Sequence, residues 1–384
     1  MINSALFVSD EMPGGGIGDI AAVEVDGALT VVGVSRWGRD GVWVWEPARN
    51  VWRNLVLPFA CAADPQAAQY PDAGNELDSL ALAVSDGRVV LAAGGDEQGV
   101  AFWDVGAGEL ISGTSFDAPY VAAVAALGGG DGPARFVSCS GVHRDGITMW
   151  EPLGGPSPVE LPESTVDALG TGSFEGRSLV VAGTREDVTL WDVDSRERWA
   201  SLYTDGGDEH VDEDEDIDDY DEDADDERIR AVALARQGGG LAVVALTDSG
   251  SVLVWTLPSP RPAGTDGEPA REGLTRARAG LPDDLDEPDE EIEPVRDPFV
   301  GHEGSITALA TAVVDDRPVV VTGGADGSVR VWDLSDGRAL GAPLTGHRDS
   351  VRKVVTGTLR GRPVAVSAGD DRTVRVWDLA ARAH

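Results

Sequence analysis

The feature that most constrains this chain is a repeat in its last ninety or so residues. Five landmarks recur after 45 residues without a gap: Gly301, His302, Pro318, Asp326 and Trp332 return as Gly346, His347, Pro363, Asp371 and Trp377. Each copy reads as three short valine-rich runs separated by turn residues, a pattern typical of β-strands. A repeat of about 40–45 residues indicates an architecture in which each unit buries its apolar surface against its neighbours.

Tryptophan marks earlier, more degenerate copies of the same unit. Seven of the chain's 11 tryptophans end a β run: Trp45, Trp103, Trp150, Trp191, Trp255, Trp332 and Trp377. The two longest intervals between them contain acidic stretches, and without these both intervals approach 40 residues. A charged or Gly-rich turn precedes most middle strands, as at Asp86-Gly87, and such a pair suits a tight hairpin with positive φ.

With these landmarks the chain resembles the WD-repeat family of β-propellers. A Gly-His pair, a hydroxyl residue, an Asp and a Trp-Asp pair carry the resemblance, most clearly from Gly301 to Leu379. The resemblance implies an all-β fold: one seven-bladed β-propeller of four-stranded antiparallel blades over residues 1–384. A β-sandwich with coincidental tryptophans is the alternative interpretation.

The resemblance also implies a side-chain relay within a blade, in which indole, hydroxyl, imidazole and carboxylate satisfy one another. Its members would be Trp332, Thr322, His302 and Asp326 in the sixth copy, and Trp377, Ser367, His347 and Asp371 in the seventh. The alternative is that these histidines are catalytic bases. Partial equivalents are expected at Ser35 with Asp40 and at Ser140 with Asp145. Ala93, Ala182 and Ala245 replace the hydroxyl in copies two, four and five, and those blades are expected to depend on apolar packing alone.

The ring should close through the two ends of the chain. The last copy stops at Leu379, just after its third strand, whereas the run Ala5–Val8 precedes the first copy. Residues 2–8 are therefore predicted to supply the outer strand of blade 7, which joins both ends in one sheet.

The negative charge is concentrated in two stretches. The net charge is −38, from 68 acidic and 30 basic residues. Residues 205–227 contain 16 acidic residues and no Lys or Arg, and residues 258–297 contain 12 acidic residues and five arginines. Both are predicted to be disordered insertions, the first between blades 4 and 5 and the second, rich in Pro and Gly, within blade 5.

In the family that the chain resembles, the turns between middle and third strands share one rim with the loops that lead into each inner strand. These turns contain the candidate partner-binding residues Trp37, Arg39, Glu97, His143, Arg144, Arg185 and Asp370. Trp and Arg are enriched in interface hot spots, so Trp37, Arg39 and Arg144 are the preferred contacts. The alternative is an ordinary rim without a partner.

Little in the sequence predicts chemistry. Nucleophile-elbow, paired-cysteine, His-Glu-x-x-His and phosphate-loop motifs are absent, and no cofactor or metal is expected. Asp212 begins an alternating acidic run, but Ile217 stands where an EF-hand loop needs Gly, so specific calcium binding is not expected. Cys61 and Cys139 are predicted to be inert, reduced thiols.

The first hypothesis is therefore a non-catalytic, cytoplasmic scaffold or adaptor that binds other proteins through its rims. No signal peptide or membrane-spanning run is apparent, and a pI of about 4.2 disfavours nucleic acid as a partner. The propeller is expected to be monomeric, and in a bacterium it would serve a separately encoded effector. The acidic stretches would steer basic partners to it. The alternative is a propeller enzyme or lectin-like protein with its site at the mouth of the central channel, although the inner strands read as mostly apolar.

Overall fold

The computed structural model places seven antiparallel sheets as blades around a central channel. It describes residues 5–35, 41–55, 77–95, 99–113, 120–127, 133–140, 146–153, 158–163, 165–185, 187–204, 228–257 and 294–382. Neighbouring inner strands contact each other around the whole ring, and the last inner strand contacts the first. The all-β, seven-bladed propeller expected from the repeat is confirmed.

The strands follow the chain in order. The first, β1 (Phe7–Val8), is the outermost strand of blade 7. Blade 1 contains, from the channel outward, β2 (Ile17–Val25), β3 (Ala28–Ser35), β4 (Val42–Glu46) and β5 (Val51–Leu55). Blade 2 contains β6 (Leu77–Ser85), β7 (Arg88–Gly95), β8 (Gly99–Asp104) and β9 (Glu109–Gly113). Blade 3 contains β10 (Ala123–Leu127), β11 (Arg135–Cys139), β12 (Ile147–Trp150) and β13 (Val159–Leu161).

The remaining blades have the same order. Blade 4 contains β14 (Ala168–Phe174), β15 (Arg177–Gly183), β16 (Asp187–Asp192) and β17 (Glu197–Tyr203). Blade 5 contains β18 (Ile229–Gln237), β19 (Gly240–Thr247), β20 (Val252–Leu257) and β21 (Val295–Arg296). Blade 6 contains β22 (Ile306–Val314), β23 (Arg317–Gly324) and β24 (Val329–Asp333). Blade 7 contains β25 (Val351–Leu359), β26 (Arg362–Gly369) and β27 (Val374–Asp378), followed by a 3₁₀ turn at Ala380–Arg382.

Blade 6 completes its fourth position with irregular backbone. Ala339 and Leu344 form single bridges with Trp332 and Val329, on the outer side of β24. The Leu340 amide also donates to the Val331 carbonyl over 2.7 Å. These contacts satisfy the edge of β24 without a continuous strand.

The two acidic insertions lie almost wholly outside the described residues. All of 205–227 does, between the end of β17 and the start of β18. Residues 258–293 of the second also do, whereas Val295–Arg296 forms β21 and pairs with Leu253 and Val254. The last residues of the proposed second insertion are therefore part of the outer strand of blade 5.

Tight turns between inner and middle strands have the conformation that their sequence requires. Asp26 and Gly27 adopt φ values of 52° and 75°, and Asp86 and Gly87 adopt 51° and 71°. Two consecutive residues with positive φ match the right-handed twist of a hairpin, and Asp-Gly tolerates this geometry best. Each turn thus sets the pairing register of the two most buried strands in its blade.

The hydrophobic core lies between blades. Middle strands such as β19 are buried along their whole length because sheets cover both of their faces. The marker tryptophans Trp45, Trp103, Trp255, Trp332 and Trp377 are at most 1% exposed and fill these interfaces. Burial of each indole removes about 150–250 Å² of surface from water, which makes these rings a large part of the force that holds adjacent blades together.

Threonines on the inner strands add polar contacts between blades. Thr171 donates to the Ala126 carbonyl at 2.7 Å, Thr311 to the Leu234 carbonyl at 2.6 Å, and Thr356 to the Thr311 carbonyl at 2.6 Å. Each bond joins a blade to the one before it. Because the hydroxyls already bond the backbone, these positions line the channel without presenting free donors to it. The channel has a volume of about 630 Å³.

The circle closes where β1 pairs with β27. Phe7 lies opposite Val376 and Val8 opposite Arg375 in an antiparallel register. Beyond the strand, the Ser9 amide donates to the Val374 carbonyl at 2.9 Å, and Ser9 Oγ accepts from the Val374 amide at 2.8 Å. The predicted closure by an amino-terminal strand is confirmed, with the paired strand limited to Phe7–Val8.

Removal of residues 1–8 should destabilise the whole ring. The deletion removes the pairing with Val376 and the burial of Phe7, so we expect the free energy of unfolding to fall by about 2–4 kcal/mol. Urea denaturation followed by tryptophan fluorescence would measure this. Removal of residues 1–4 alone, which precede the described part of the chain, is the matched control and should change little. Equal stability of both truncations would contradict closure through β1.

Candidate functional site

Blade 6 contains the four side chains of the expected relay within hydrogen-bonding distance. The Trp332 indole N–H donates to Thr322 Oγ1 at 2.8 Å, and Thr322 Oγ1 lies 2.8 Å from His302 Nε2. His302 Nδ1 lies 3.1 Å from Asp326 Oδ1. Because a carboxylate can only accept, Nδ1 carries the ring proton and Thr322 donates to Nε2. Every polar atom along the chain of contacts is then satisfied.

Blade 7 repeats this geometry. The Trp377 indole N–H donates to Ser367 Oγ at 2.8 Å, Ser367 lies 2.8 Å from His347 Nε2, and His347 Nδ1 lies 3.0 Å from Asp371 Oδ1. The side chains of His302 and His347 are only 2% and 0% exposed. Both nitrogens of each ring are engaged within the blade, so neither histidine offers one to a substrate, and the arrangement is suited to holding a turn against a sheet.

Hydrogen bonding determines the charge state of the relay. Burial raises the pKa of Asp326, but bonds from the Glu303 amide, from Ser328 and from His302 outweigh it and lower that pKa to about 2. Burial also raises the pKa of Asp371, but hydrogen bonds, above all the one from His347, outweigh it and hold that pKa well below its ordinary value. Burial lowers the pKa of His302 despite the opposing effect of Asp326. The carboxylates therefore stay ionised, and His302 is favoured as the neutral ring.

Three earlier blades satisfy their indole by other means. Trp45 donates to Asn50 Oδ1 at 3.1 Å and Trp150 to Ser138 Oγ at 2.9 Å. Trp191 donates to Glu163 Oε2 at 2.9 Å, and Thr189 donates to the same oxygen at 2.8 Å. The expectation that blade 4 depends on apolar packing alone is therefore wrong, because a buried indole N–H needs an acceptor of any kind.

The expected partial relay at Ser35 is also wrong, and in blade 3 it is Ser138 and not Ser140 that accepts from the tryptophan. Ser35 and Ser140 each lie ten residues before the tryptophan of their blade, as Thr322 does, but the strand pairing puts Gly33 and Ser138 at the hydroxyl position. The connection between middle and third strands is two residues longer in blades 1 and 3 than in blade 6. Ser35 Oγ is buried without a hydrogen-bond partner among the described residues. Asp40 and Asp145 lie outside the described residues.

Blade 5 is the least satisfied of the blades whose indole contacts are known. Trp255 is 0% exposed, and its Nε1 has no hydrogen-bond partner within the described part of the chain. Ala245 occupies the position of the hydroxyl, opposite Leu253 on the third strand. A buried, unpaired N–H costs about 1–3 kcal/mol, so this blade has a weaker core than blades 6 and 7.

Charged side chains gather at one end of the central channel, here called the channel mouth. It is formed where each inner strand begins, at Gly18, Asp19, Asp78, Ala122, Asp167, Arg230, Thr307, Arg352 and Lys353. At five of these strand starts the pairing shifts by one residue, which turns an extra side chain toward the opening. The mouth is polar because these charged residues stand at the strand starts, ahead of the mostly apolar remainder of the inner strands.

Ion pairs hold the cations of the channel mouth in place. Arg352 Nε lies 2.7 Å from Asp370, Lys353 Nζ lies 2.8 Å from Asp19, and Arg230 Nε lies 3.2 Å from Asp248. Asp19 is buried and also accepts from the Leu80 amide of the next blade at 2.9 Å. The mouth is thus a fixed pattern of both signs of charge, contributed by several blades.

Asp167 is the exception among these acids. Its Oδ2 is shut off from solvent and has no hydrogen-bond partner within the described residues. Burial raises the pKa of Asp167, while the charges of Arg228 and Arg185 oppose that rise and Asp248 adds to it. Asp167 as a whole is half-buried, so it is the carboxylate at the mouth whose hydrogen bonding is incomplete while part of its side chain remains accessible to a bound molecule.

The candidate contact residues are only partly visible. Trp37, Arg39, Glu97, His143 and Arg144 lie outside the described residues. Arg185 is exposed, and its charge acts on Asp167. Asp370 is half-buried in its ion pair with Arg352. The sequence did not point to Asp167, Arg230 or Arg352, because their convergence depends on the curvature of the ring. Glu163 was missed for a related reason: it precedes its inner strand much as His302 does, but with a different residue type.

The part of the chain that the structure describes shows no other chemical centre. Within it, no group of three or more His, Cys, Asp or Glu side chains is placed to hold a metal. Burial raises the pKa of the free Cys139 thiol far above its ordinary value, so it stays protonated and unreactive. No helix among the described residues is long and apolar enough to cross a membrane.

Comparisons with known proteins agree with this architecture. Residues 293–333 and 339–378 match the family model described as WD domain, G-beta repeat. No curated protein sequence matches the chain. Among solved structures, the crystal structure of the computationally designed Ika8 protein is similar, with a TM-score of 0.50 and 18% sequence identity over 98% of this chain and 99% of that one. At this identity the likeness concerns the fold alone.

The relay should contribute measurably to stability. Ser367→Ala leaves both the Trp377 indole N–H and His347 Nε2 without a partner, so we expect a loss of about 1–3 kcal/mol. Ser35→Ala is the matched control: it removes a buried hydroxyl that has no partner, and it should cost less than about 0.5 kcal/mol or stabilise. Chemical denaturation of both variants would decide, and equal losses would show that the hydrogen bonds contribute nothing specific.

Acid should weaken the relay through its carboxylates. The pKa of Asp326 is about 2 in the fold, below the value of about 3.9 for a free Asp. The stabilisation is therefore complete above pH ~4 and disappears as the pH falls toward ~2. Asp326→Asn should flatten the decrease in unfolding free energy over this range while lowering stability at pH 7. A wild-type profile as flat as that of Asp326→Asn would contradict the assignment.

Proposed function

We propose that this WD-repeat β-propeller is a non-catalytic interaction module that binds a partner protein over its channel mouth. The WD-repeat assignment comes from the two matched repeats, which form blades 6 and 7, together with the ring of seven blades. Proteins of this architecture generally bind other proteins. The interior of this chain supports the same use, because the histidines and carboxylates of its relays are occupied in holding the blades together.

The observation that carries the proposal is the unsatisfied oxygen of Asp167 within an otherwise paired set of charges. Ion pairs to Asp19, Asp248 and Asp370 fix the cations around it, so little side-chain entropy remains to be lost on binding. A partner that supplies a hydrogen-bond donor to the accessible part of the Asp167 carboxylate would offset the cost of leaving its Oδ2 unpaired. Arg185, exposed on the same rim, offers a cation to an acceptor of the partner.

The proposal also includes a location in the cytoplasm and the electrostatic attraction of basic partners by the acidic stretch 205–227. The free thiol of Cys139 suits a reducing compartment such as the cytoplasm. The acidic stretch 205–227 enters blade 5 next to Arg228 and Arg230, at the end of the channel where the mouth lies. Its charge would raise the rate of encounter with a basic partner, and this effect would weaken as salt is added.

Affinity capture with matched variants tests the module. We expect Asp167→Asn combined with Arg185→Ala to lose a partner that the wild-type protein retains from its native host, by about tenfold, as for a change of roughly 1.4 kcal/mol at a hot spot. Quantitative mass spectrometry of the captured proteins is the measurement. Arg88→Ala with Arg317→Ala, two exposed arginines at the opposite end of the blades, is the control. Capture of the same proteins by all three forms would refute binding over the channel mouth.

A further inference from the structure

Two arginines stand at equivalent positions of blades 6 and 7. Arg330 and Arg375 each lie two residues before the marker tryptophan, on β24 and β27. Both side chains are half-buried, and the Nε of each is shut off from solvent without a hydrogen-bond partner. Within the described residues, neither guanidinium makes a hydrogen bond or an ion pair. The Nη atoms at the end of each guanidinium group, by contrast, are accessible to solvent.

The repeat itself holds these guanidinium groups in place. A Cβ on Gly301 would lie 2.9 Å from Arg330 Nη1, and one on Gly346 would lie 2.5 Å from Arg375 Nη1. Because the first residue of each Gly-His pair has no side chain, the guanidinium group can occupy the space beside it. Arg330 also lies over the Trp332 ring, 6.0 Å from its centroid. Both side chains are confined before any ligand arrives, which lowers the entropic cost of binding one.

The nearest acids cannot pair with them. Asp371 raises the pKa of Arg375 through space, but burial of the guanidinium lowers it by more. Asp371 already accepts from His347, Thr373 and the Arg348 amide, and Asp326 accepts from His302, Ser328 and the Glu303 amide. Elsewhere the chain pairs arginine with ease, as in Arg177 with Asp192 at 2.6 Å and Arg362 with Asp378 at 2.5 Å. Arg330 and Arg375 differ from these pairs, and from exposed arginines such as Arg88 and Arg317, because they are half-buried without an ion pair among the described residues.

An exposed apolar side chain lies beside one of the two forks. Val300 directly precedes Gly301 and is 85% exposed. In blade 7 the corresponding residue is the exposed Thr345. A partner that reaches Arg330 would also meet this valine, so the surface offers one apolar contact and two cationic forks.

We propose that Arg330 and Arg375, with Val300, form a second docking surface, which binds an acidic, extended segment of a partner protein. A guanidinium fork binds a carboxylate through two parallel N–H···O bonds, and such bonds are strong where the guanidinium is partly desolvated. Two forks on adjacent blades select a segment that carries more than one carboxylate. This surface does not include the channel mouth. Peptide binding here can therefore be present or absent independently of the partner binding proposed for the mouth.

The overall charge of −38 does not forbid an acidic ligand at this place. At an ionic strength of about 0.15 M the Debye length is ~8 Å, so distant carboxylates are largely screened while two guanidinium groups in contact with the ligand are not. A polyphosphate such as duplex DNA would need a broad basic surface instead. Among anionic ligands, a short acidic peptide therefore fits best.

Fluorescence anisotropy tests the surface in the full-length protein. The probe is a short fluorescein-labelled peptide of alternating glutamate and alanine, with the glutamine-alanine peptide and a short duplex DNA as comparisons. We expect the wild-type protein to bind the glutamate peptide in preference to both. Arg330→Gln with Arg375→Gln should weaken this binding at least about tenfold, and the lysine pair, which keeps the charge without the fork, at least about threefold. Arg88→Gln with Arg317→Gln removes the same charge elsewhere and should change the affinity less than about twofold.

Thermal unfolding without peptide separates recognition from a structural role. If the two guanidinium groups serve recognition, Arg330→Gln with Arg375→Gln removes half-buried, unpaired charges and leaves the unfolding temperature unchanged or higher. A lower unfolding temperature would assign both arginines to the blade core and overturn the proposal. It would also be overturned by a wild-type protein that does not bind the glutamate peptide, by tighter binding of the DNA, or by equal losses in the test and control pairs.

Discussion

The antiparallel pairing of β1 with β27 is the constraint on which the rest of this propeller depends. Ser9 and Val374, which bond each other there, are 365 residues apart in the chain. No blade buries both of its faces alone, because its core consists of side chains shared with the blades on either side. An open ring would expose one face of blade 1 and one of blade 7. The short strand Phe7–Val8 therefore couples all seven interfaces, and the narrowness of that contact makes the stability of the whole sensitive to a few residues.

Within this ring, the requirement inside each blade is an acceptor for a buried indole N–H. Blades 6 and 7 meet it with a hydroxyl that is held in turn by imidazole and carboxylate. Blade 4 meets it with Glu163, blade 1 with Asn50 and blade 3 with Ser138. These side chains come from different loops and strands, yet each satisfies the same buried group. Degenerate repeats can thus keep the physical function of the relay after its residue types have changed. Trp255 is the contrasting case, since none of the described residues accepts from its indole N–H.

The sequence predicted the ring, its seven blades and its closure because these follow from a period and from turn residues, which are local signals. The same period misplaced Ser35 and Ser140, since two additional residues in a turn move the hydroxyl position without changing the pattern of β runs. Glu163, which accepts from Trp191, was missed because it stands near the position of His302 with a different residue type. The channel mouth could not be read from the sequence at all. Asp19, Asp167 and Lys353 meet there only because the inner strands begin at one end of a closed circle.

The pairing of charges on this protein separates support from recognition. Arg352 has its carboxylate partner, Asp370, within the same fold. Such an arginine already makes its strongest interaction inside the protein, so it serves mainly to hold the surface in one conformation. An unpaired guanidinium group that the fold has partly buried is in the opposite situation. Its burial costs free energy, and no ion pair within the fold offsets that cost. A ligand that supplies the carboxylate provides the missing ion pair, and the free energy of that pair favours binding. For a chain with a net charge of −38, this local imbalance at Arg330 and Arg375 can overcome a repulsion that salt largely screens, whereas a surface of exposed, solvated arginines could not.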